Sequence, residues 1–332
     1  MSWGAAMVAS LLVVLPRPTL WVVALSPFLV RGGLVLFLVP IVVVPSPVNL
    51  ATAFGPTITR IALSGLSPEF ALIIAVAFAT FLAWLLVGGW AAAIAERDLI
   101  AAVAVDEDLP RPDGAARPWP VQRPGRTWRI VVVRLAGHLP TVVALAWGAL
   151  RLVQATYREL TVPSDVATPI ALRVMAAVPD VVLGIVATWS LGEILGSLGA
   201  RRIVLRGQSV DAAYLGAWAD LLRRPVSAIA TFVVPTAVLL LAIVPLGIGA
   251  GIAWDGLRVR LATGNTGFPI DVALVLIAFV AVWLAGLLVA GLLAAWRSAA
   301  GTLETLRGWG TFGGSVNRRP GDWLEREPSG RL

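Results

Sequence analysis

Six long apolar runs, each nearly free of charged residues, constrain this 332-residue chain more than any other feature. Only 14% of its residues are charged, whereas soluble proteins average about 25%. A run of about 20 apolar residues can cross a hydrocarbon core of about 30 Å as a helix. The pattern predicts an all-α polytopic integral membrane protein, a helical bundle with six transmembrane helices over residues 19–44, 69–95, 130–154, 170–198, 226–253 and 270–296.

An Arg-Pro pair stands before three of these runs: Arg17-Pro18, Arg123-Pro124 and Arg224-Pro225. The pairs are 106 and 101 residues apart, which leaves room for two spans and a polar connection between consecutive pairs. The spacing predicts a three-fold internal repeat of a two-helix unit. The three units cover residues 1–98, 99–200 and 201–300.

The distribution of arginine predicts the orientation. The chain has no lysine, and 19 of its 26 arginines flank one side of the predicted spans while six flank the other. Basic residues are enriched in cytoplasmic loops, so both termini are expected in the cytoplasm. The use of arginine alone is typical of a GC-rich bacterial genome, and the expected location is the inner (plasma) membrane.

Four segments outside the runs have their own predicted roles. Residues 3–15 are apolar but short, which favours a helix lying in or against the membrane interface. Residues 96–128 contain five prolines and several charges and are expected to form a solvated cytoplasmic loop. Residues 209–224 show an apolar stripe at helical spacing, so they predict an amphipathic interfacial helix that Ser209 can cap. The polar residues 301–332 predict a flexible cytoplasmic tail.

Two charged residues lie near the middle of predicted spans. Arg31 is close to the midpoint of the first span, where its insertion costs about 2.5 to 3.5 kcal/mol. Asp180 follows Pro179 at a similar predicted depth in the fourth span. An Arg31–Asp180 ion pair is the simplest way to give both charges a partner inside the membrane. Such a pair either holds the bundle together or lines a polar path or ligand site.

A second polar group is predicted nearer the cytoplasm. Arg134 and His138 are one helical turn apart in the third span, and Glu193 lies at comparable depth in the fourth. The pattern predicts an Arg134–Glu193 pair with His138 beside it. The histidine then either completes an interhelical hydrogen bond or shuttles protons, since its charge changes between pH 5 and 8.

Small residues recur every four positions along the fourth span: Gly184, Thr188, Gly192, Gly196 and Ala200. Such a stripe lets two helices approach closely in a membrane. It predicts a helix-packing seam and indicates nothing about chemistry.

Several chemistries are excluded by residues that the chain lacks. Without lysine or cysteine it cannot build a Walker-type phosphate loop, a Schiff base, a disulfide or a thiolate nucleophile. A single histidine excludes a multi-histidine zinc site, and no catalytic constellation is found. The arginines flank apolar spans instead of forming a basic face with aromatic partners, which argues against nucleic-acid binding. No cofactor, metal or catalytic residue is predicted.

The run Leu221-Leu222-Arg223-Arg224-Pro225, in which an amphipathic helix leads into an apolar span, resembles the membrane domain attached to some glycerophosphodiester phosphodiesterases. The likeness covers the last third of the chain best and implies a bacterial multi-pass membrane architecture. A single histidine cannot supply the active site of the phosphodiesterase, so the resemblance implies no activity here.

The residues leave three functions open. The leading one is a non-catalytic membrane component that binds lipid, a partner membrane protein or a small solute in a cavity of the bundle, with the lipid bilayer as its surroundings. The alternative is a transporter or permease that uses Arg31 and Asp180 at mid-membrane. A third, an intramembrane enzyme, needs converging acid and base groups.

Overall fold

A computed structural model describes residues 2–38, 67–106, 125–162, 164, 165, 168, 170–262 and 270–309. Of these residues, 93% are helical. In chain order the helices are α1 (Trp3–Val14), α2 (Pro18–Phe28), α3 (Leu34–Leu38), α4 (Pro68–Asp106), α5 (Gly125–Gly137), α6 (Leu139–Thr161), α7 (Ile170–Ala177), α8 (Pro179–Arg206), α9 (Val210–Arg223), α10 (Pro225–Ala262) and α11 (Ile270–Gly308).

Six helical segments in the described ranges are long and apolar enough to cross a membrane. Each overlaps one of the predicted runs, so the predicted six-span, all-α class is confirmed. The three-fold repeat stays a prediction. The six segments are Pro18–Leu38, Pro68–Ala104, Leu139–Glu159, Pro179–Arg206, Pro225–Leu261 and Val272–Gly308.

Prolines open four of the long helices, namely α2, α4, α8 and α10. The first N–H groups of a helix have no partner within it, so a residue without an N–H fits there at no cost, and its fixed φ is already helical. Proline at these starts therefore sets where each helix begins. Pro235 and Pro245 lie inside α10, which nevertheless runs on to Ala262.

The first span is bent between α2 and α3. Residues Leu29–Gly33 form a wider π-type turn in which Gly32 has a φ of 110°, a value that L side chains rarely adopt. The Gly32-Gly33 pair therefore serves the bend of its own helix. Residues 39–66, which include the end of the predicted first span and the connection after it, lie outside the described residues.

Two predicted non-helical segments are helical in part. α4 continues through Asp106, so the predicted loop over 96–128 does not begin at residue 96. Leu99, Ile100 and Val103 are buried on this extension, and burial of that apolar face stabilises the extra turns. α11 likewise continues to Gly308, well into the predicted tail over 301–332. The remainders, 107–124 and 310–332, lie outside the described residues.

The third and fourth predicted spans are each divided. His138 separates α5 from α6, and Val178 separates α7 from α8. Pro140 and Pro179 stand just after these breaks, because proline removes an N–H that an uninterrupted helix would use. The spanning segments therefore begin at Leu139 and Pro179, later than the predicted starts at residues 130 and 170.

The described chain divides into two compact units, one drawn from residues 1–13, 100–233 and 297–332 and the other from 14–99 and 234–296. In the first unit, Ile194 and Leu195 of α8 pack with Ala217 and Leu221 of α9. Partly buried side chains extend this apolar core: Leu191, Leu198, Trp218, Ala228 and Phe232.

In the second unit, Phe37 is the central aromatic side chain. Its ring meets Phe28 and Trp283 edge-on, at centroid distances of 6.4 and 5.9 Å. Gly286 faces the same ring, and Gly291 faces the backbone carbonyl of Trp21; a Cβ at these glycines would lie 2.9 and 2.7 Å from its neighbour. Glycine is therefore required where α2 and α3 meet α11.

The predicted packing seam is real over half its length. A Cβ on Gly192 would lie 2.9 Å from the carbonyl oxygen of Gly137, and one on Gly196 would lie 3.0 Å from the Arg134 side chain. At Gly184, by contrast, no described atom lies within 4 Å of such a Cβ. The Thr188 hydroxyl donates to the Gly184 carbonyl of its own helix. Close packing of α5 on α8 thus depends on the C-terminal half of the stripe.

We expect Gly192→Ala to lower the free energy of unfolding by about 1 to 3 kcal/mol, the usual cost of overpacking. The matched control, Gly184→Ala, should leave stability unchanged or raise it by up to about 1 kcal/mol, because alanine favours the helix. Reversible unfolding in mixed detergent micelles measures both variants. Equal effects at the two positions would contradict the seam described here.

Candidate functional site

Arg31 forms a buried ion pair with Glu96 of α4. The Arg31 Nη2 atom donates to Glu96 Oε2 at 2.7 Å, and the two side chains are 20% and 7% exposed. Both residues belong to the second compact unit. The pair forms because α4 continues beyond residue 95, a segment that the sequence pattern assigned to a loop. Glu96 is therefore a site residue that the sequence analysis missed.

Asp180 lies in the first turn of α8 and pairs with Arg151 of α6. Their Nη2 and Oδ2 atoms are 3.3 Å apart, and the side chains are 43% and 47% exposed. The helix begins at Pro179, so the carboxylate is at a helix N-terminus, where negative charge is favourable. The expectation that Asp180 lies at the middle of a continuous span is wrong, because the chain breaks at Val178.

The predicted Arg31–Asp180 ion pair is thus replaced by two other pairs, Arg31–Glu96 and Arg151–Asp180. The prediction joined the two residues by estimated depth alone. It assumed an uninterrupted fourth span and a second span that ended before Glu96, and the structure contradicts both assumptions. A polar path built on Arg31 and Asp180 therefore has no geometric support.

Arg134, His138 and Glu193 are brought together at the junction of α5, α6 and α8. Arg134 Nη1 lies 3.4 Å from Glu193 Oε2, and His138 Nε2 lies 3.5 Å from Glu193 Oε1. The Arg134 and Glu193 side chains are 11% and 6% exposed. One buried carboxylate is therefore shared by a guanidinium and an imidazole. The pairing matches the prediction, and its role in ligand or proton binding stays a prediction.

The position of His138 follows from the helix break. Its Nδ1 atom lies 2.9 Å from the backbone carbonyl oxygen of Arg134, and a carbonyl can only accept, so this geometry assigns a proton to Nδ1. The contact between Nε2 and Glu193 becomes an ion pair only when the imidazole carries a second proton. The cluster can thus hold one proton beside an existing Arg–Glu pair.

A second polar site lies in the first compact unit, where α8, α9, α10 and α11 meet. It is a cavity of about 330 Å³ lined by four arginines and two acidic residues. We call it the arginine cavity. Its charged residues are Arg202, Arg206, Arg223, Arg224, Asp220 and Glu304.

The acidic residues of the arginine cavity already have partners. Arg202 donates through Nε and Nη2 to the two carboxylate oxygens of Asp220, both at 2.8 Å, and its side chain is 9% exposed. Glu304 accepts from Nε and Nη2 of Arg307, at 2.7 and 2.8 Å. Two-pronged pairs of this kind fix both partners in orientation.

The remaining three arginines form no ion pair with any described residue. Arg206 lies over the indole ring of Trp309, 3.6 Å from its centroid, a cation–π contact that holds the guanidinium in place. Arg223 is the last residue of α9, and Arg224 forms the short connection between α9 and α10. The sequence marked Arg223 and Arg224 by the repeated Arg-Pro pair and by the resemblance at Leu221–Pro225, not as ligands, and no motif pointed to Arg206 or Trp309.

Ser209 occupies the expected position before α9 but does not cap it through its side chain. Its hydroxyl is directed to Asp211 instead, and the carboxylate of Asp211 also accepts from the N–H groups of Asp211 and Ala212. These hydrogen bonds stabilise the carboxylate, which lowers the pKa of Asp211. Asp211 therefore stabilises the start of α9 where Ser209 was expected to do so.

The fold and the polar sites define the chain as a multi-pass helical membrane protein. Comparisons with protein-family models, curated proteins and solved structures find no match. The function is therefore inferred from the geometry of the chain itself, and the arginine cavity gives the strongest support for it.

We expect Arg31→Gln to lower the free energy of unfolding by about 3 kcal/mol or more, because it removes the charged arginine from a buried ion pair. Arg151→Gln is the control, since its pair with Asp180 is exposed and should contribute less than about 1 kcal/mol. Unfolding in mixed micelles compares the two. If Arg151→Gln cost as much as Arg31→Gln, the difference in burial would not govern these pairs.

Proposed function

We propose that this chain is a non-catalytic multi-pass membrane protein that binds a ligand between its helices: a lipid, another membrane protein or a small solute. The arginine cavity supports this proposal. It is a partly enclosed space of about 330 Å³, within the range of small-ligand sites. Three of its four guanidinium groups have no ion pair among the described residues, so charged donors remain for a ligand.

The proposed location is a bacterial inner membrane, with both termini in the cytoplasm. The bias of 19 arginines against six supports this orientation. It would place the arginine cavity at the cytoplasmic surface, because Arg202, Arg206, Arg223 and Arg224 belong to the arginine-rich side.

A transporter is the alternative function. Arg31 and Asp180, which suggested a transport site from the sequence, pair with Glu96 and Arg151 instead. The Arg134–His138–Glu193 cluster is a different candidate for such a site. A carboxylate that is 6% exposed and shared by two basic groups is the type of group through which membrane proteins pass protons. Under this alternative His138 would carry the proton, and the Glu193 carboxylate beside it would stabilise the charged imidazole.

Native mass spectrometry of the full chain released from mild detergent tests ligand binding. We expect protein carrying a bound mass that persists after exchange into a harsher detergent, which strips loosely held lipid. The exchanged sample is the control for non-specific lipid. Bare protein in the mild detergent would contradict the proposed function.

Proton or solute flux in reconstituted vesicles tests the alternative. A non-transporting protein should show the same flux as empty vesicles between pH 5 and 8. The Glu193→Gln variant is the matched comparison, because it keeps the shape of the side chain and removes its charge. Flux in the parent protein that is lost in Glu193→Gln would favour the transporter over the ligand-binding protein.

Reporter fusions test the orientation. A reporter that is active only in the cytoplasm, fused after Leu332 or before Met1, should be active in both constructions. The control is a fusion in the segment 263–269, which six crossings place on the opposite side. Activity at 263–269, or its loss at either terminus, would overturn the proposed topology.

A further inference from the structure

We propose that the arginine cavity binds the phosphate group of an anionic phospholipid, whose acyl chain lies in an adjoining apolar groove. This inference rests on the proposed function, since it names the ligand class of that same cavity. It follows from three features of the first compact unit: the balance of charge, the geometry of the guanidinium groups, and the apolar surface that continues from them.

The charge balance favours an anion. Four arginines and two carboxylates line the cavity, and both carboxylates already accept two-pronged hydrogen bonds, Asp220 from Arg202 and Glu304 from Arg307. Arg206, Arg223 and Arg224 therefore add three positive charges with no ion pair in the described chain. A monoanionic or dianionic phosphate would offset one or two of these three charges.

The three guanidinium groups without an ion pair come from two parts of the chain, the end of α8 and the junction of α9 with α10. Arg206 is the last residue of α8, held over Trp309. Arg223 ends α9 and Arg224 precedes Pro225. The Arg224 guanidinium lies against Gly308, where a Cβ would be 3.1 Å from its Nη1 atom. Guanidinium groups match the oxygens of phosphate in planar, two-pronged geometry, which makes arginine a common phosphate ligand.

An apolar groove continues from the cavity. The groove has a volume of about 510 Å³ and is lined by Trp3, Pro225, Val226 and Ala230, together with two residues that also line the cavity, Arg224 and Ser227. Trp3 is fixed there because its Nε1 donates to the Thr231 hydroxyl at 2.9 Å. A ligand with a phosphate at one end and a hydrocarbon chain at the other fits this continuity better than a free phosphate does.

The test titrates the full-length protein in detergent with phosphatidic acid, phosphatidylglycerol and phosphatidylcholine, and with inorganic phosphate as the soluble arm. Native mass spectrometry and the change in Trp fluorescence report binding. We expect both anionic lipids to bind at least about tenfold more tightly than phosphatidylcholine, because its choline group adds a positive charge beside the arginines of the cavity. Inorganic phosphate should bind more weakly than either anionic lipid, because it cannot use the groove.

Variants identify the site. The double variant Arg206→Gln/Arg224→Gln should weaken binding of the anionic lipids by about tenfold or more. The control, Arg129→Gln/Arg258→Gln, removes the same charge from two exposed arginines that do not line the cavity, and it should bind like the parent. The single variant Arg223→Gln changes one exposed side chain and is expected to fold. Weaker binding of the anionic lipids by this variant supports the cavity as the site even if the double variant unfolds.

A second variant separates the two parts of the site. Ala230→Trp fills the groove and should weaken binding of phosphatidic acid while leaving inorganic phosphate unaffected. Inorganic phosphate that binds as tightly as phosphatidic acid would overturn the lipid assignment in favour of a free phosphorylated solute.

Equal binding by Arg206→Gln/Arg224→Gln and by its control would overturn the cavity as the site. If the purified chain retains a protein or an uncharged solute instead, this inference fails while ligand binding itself stands.

Discussion

The contact between the backbones of Gly137 and Gly192 determines where the Arg134, His138 and Glu193 side chains meet. Because neither residue has a side chain, the carbonyl oxygen of each approaches the other helix to a distance that any Cβ would prevent. This approach brings Glu193, the next residue along α8, to Arg134 and His138. A larger residue at either glycine would push the helices apart and lengthen the contacts of Glu193 with Arg134 and His138, so packing and charge pairing are one constraint here.

The helix starts were largely predictable, and the ends were not. Proline opens α2, α4 and α10 within one residue of the predicted starts, whereas α8 begins at Pro179 instead of at the predicted residue 170. The end of α4 depends instead on burial of Leu99, Ile100 and Val103, which no local pattern reveals among the charges of that segment. The six spans were therefore found from hydropathy, whereas the helical extension that carries Glu96 was assigned to a loop.

The same difference explains which charge pairs were predictable. Matching the predicted depths of Arg134 and Glu193 was sufficient, although the third span starts later than predicted, because the packing of Gly137 on Gly192 keeps α5 beside α8. Matching depths was not sufficient for Arg31 and Asp180. The partner of Arg31, Glu96, lies in a segment that was predicted to be a solvated loop, and a helix break places Asp180 at a helix N-terminus. Depth restricts the possible partners of a membrane charge, but the choice among them depends on helix ends that tertiary packing sets.

Arginines near the ends of spans serve orientation, and this role does not exclude a second one. The positive-inside bias predicts that they lie at the cytoplasmic surface, where anionic lipid headgroups are also found. An arginine that serves orientation alone needs no fixed geometry, and solvent or lipid can surround it in any rotamer. Arg206 instead lies at a defined position over Trp309, and Asp220 is already bound to Arg202. A fixed guanidinium group without an ion pair in the described chain is what the proposed phosphate requires, so orientation and the proposed binding are compatible roles for one arginine.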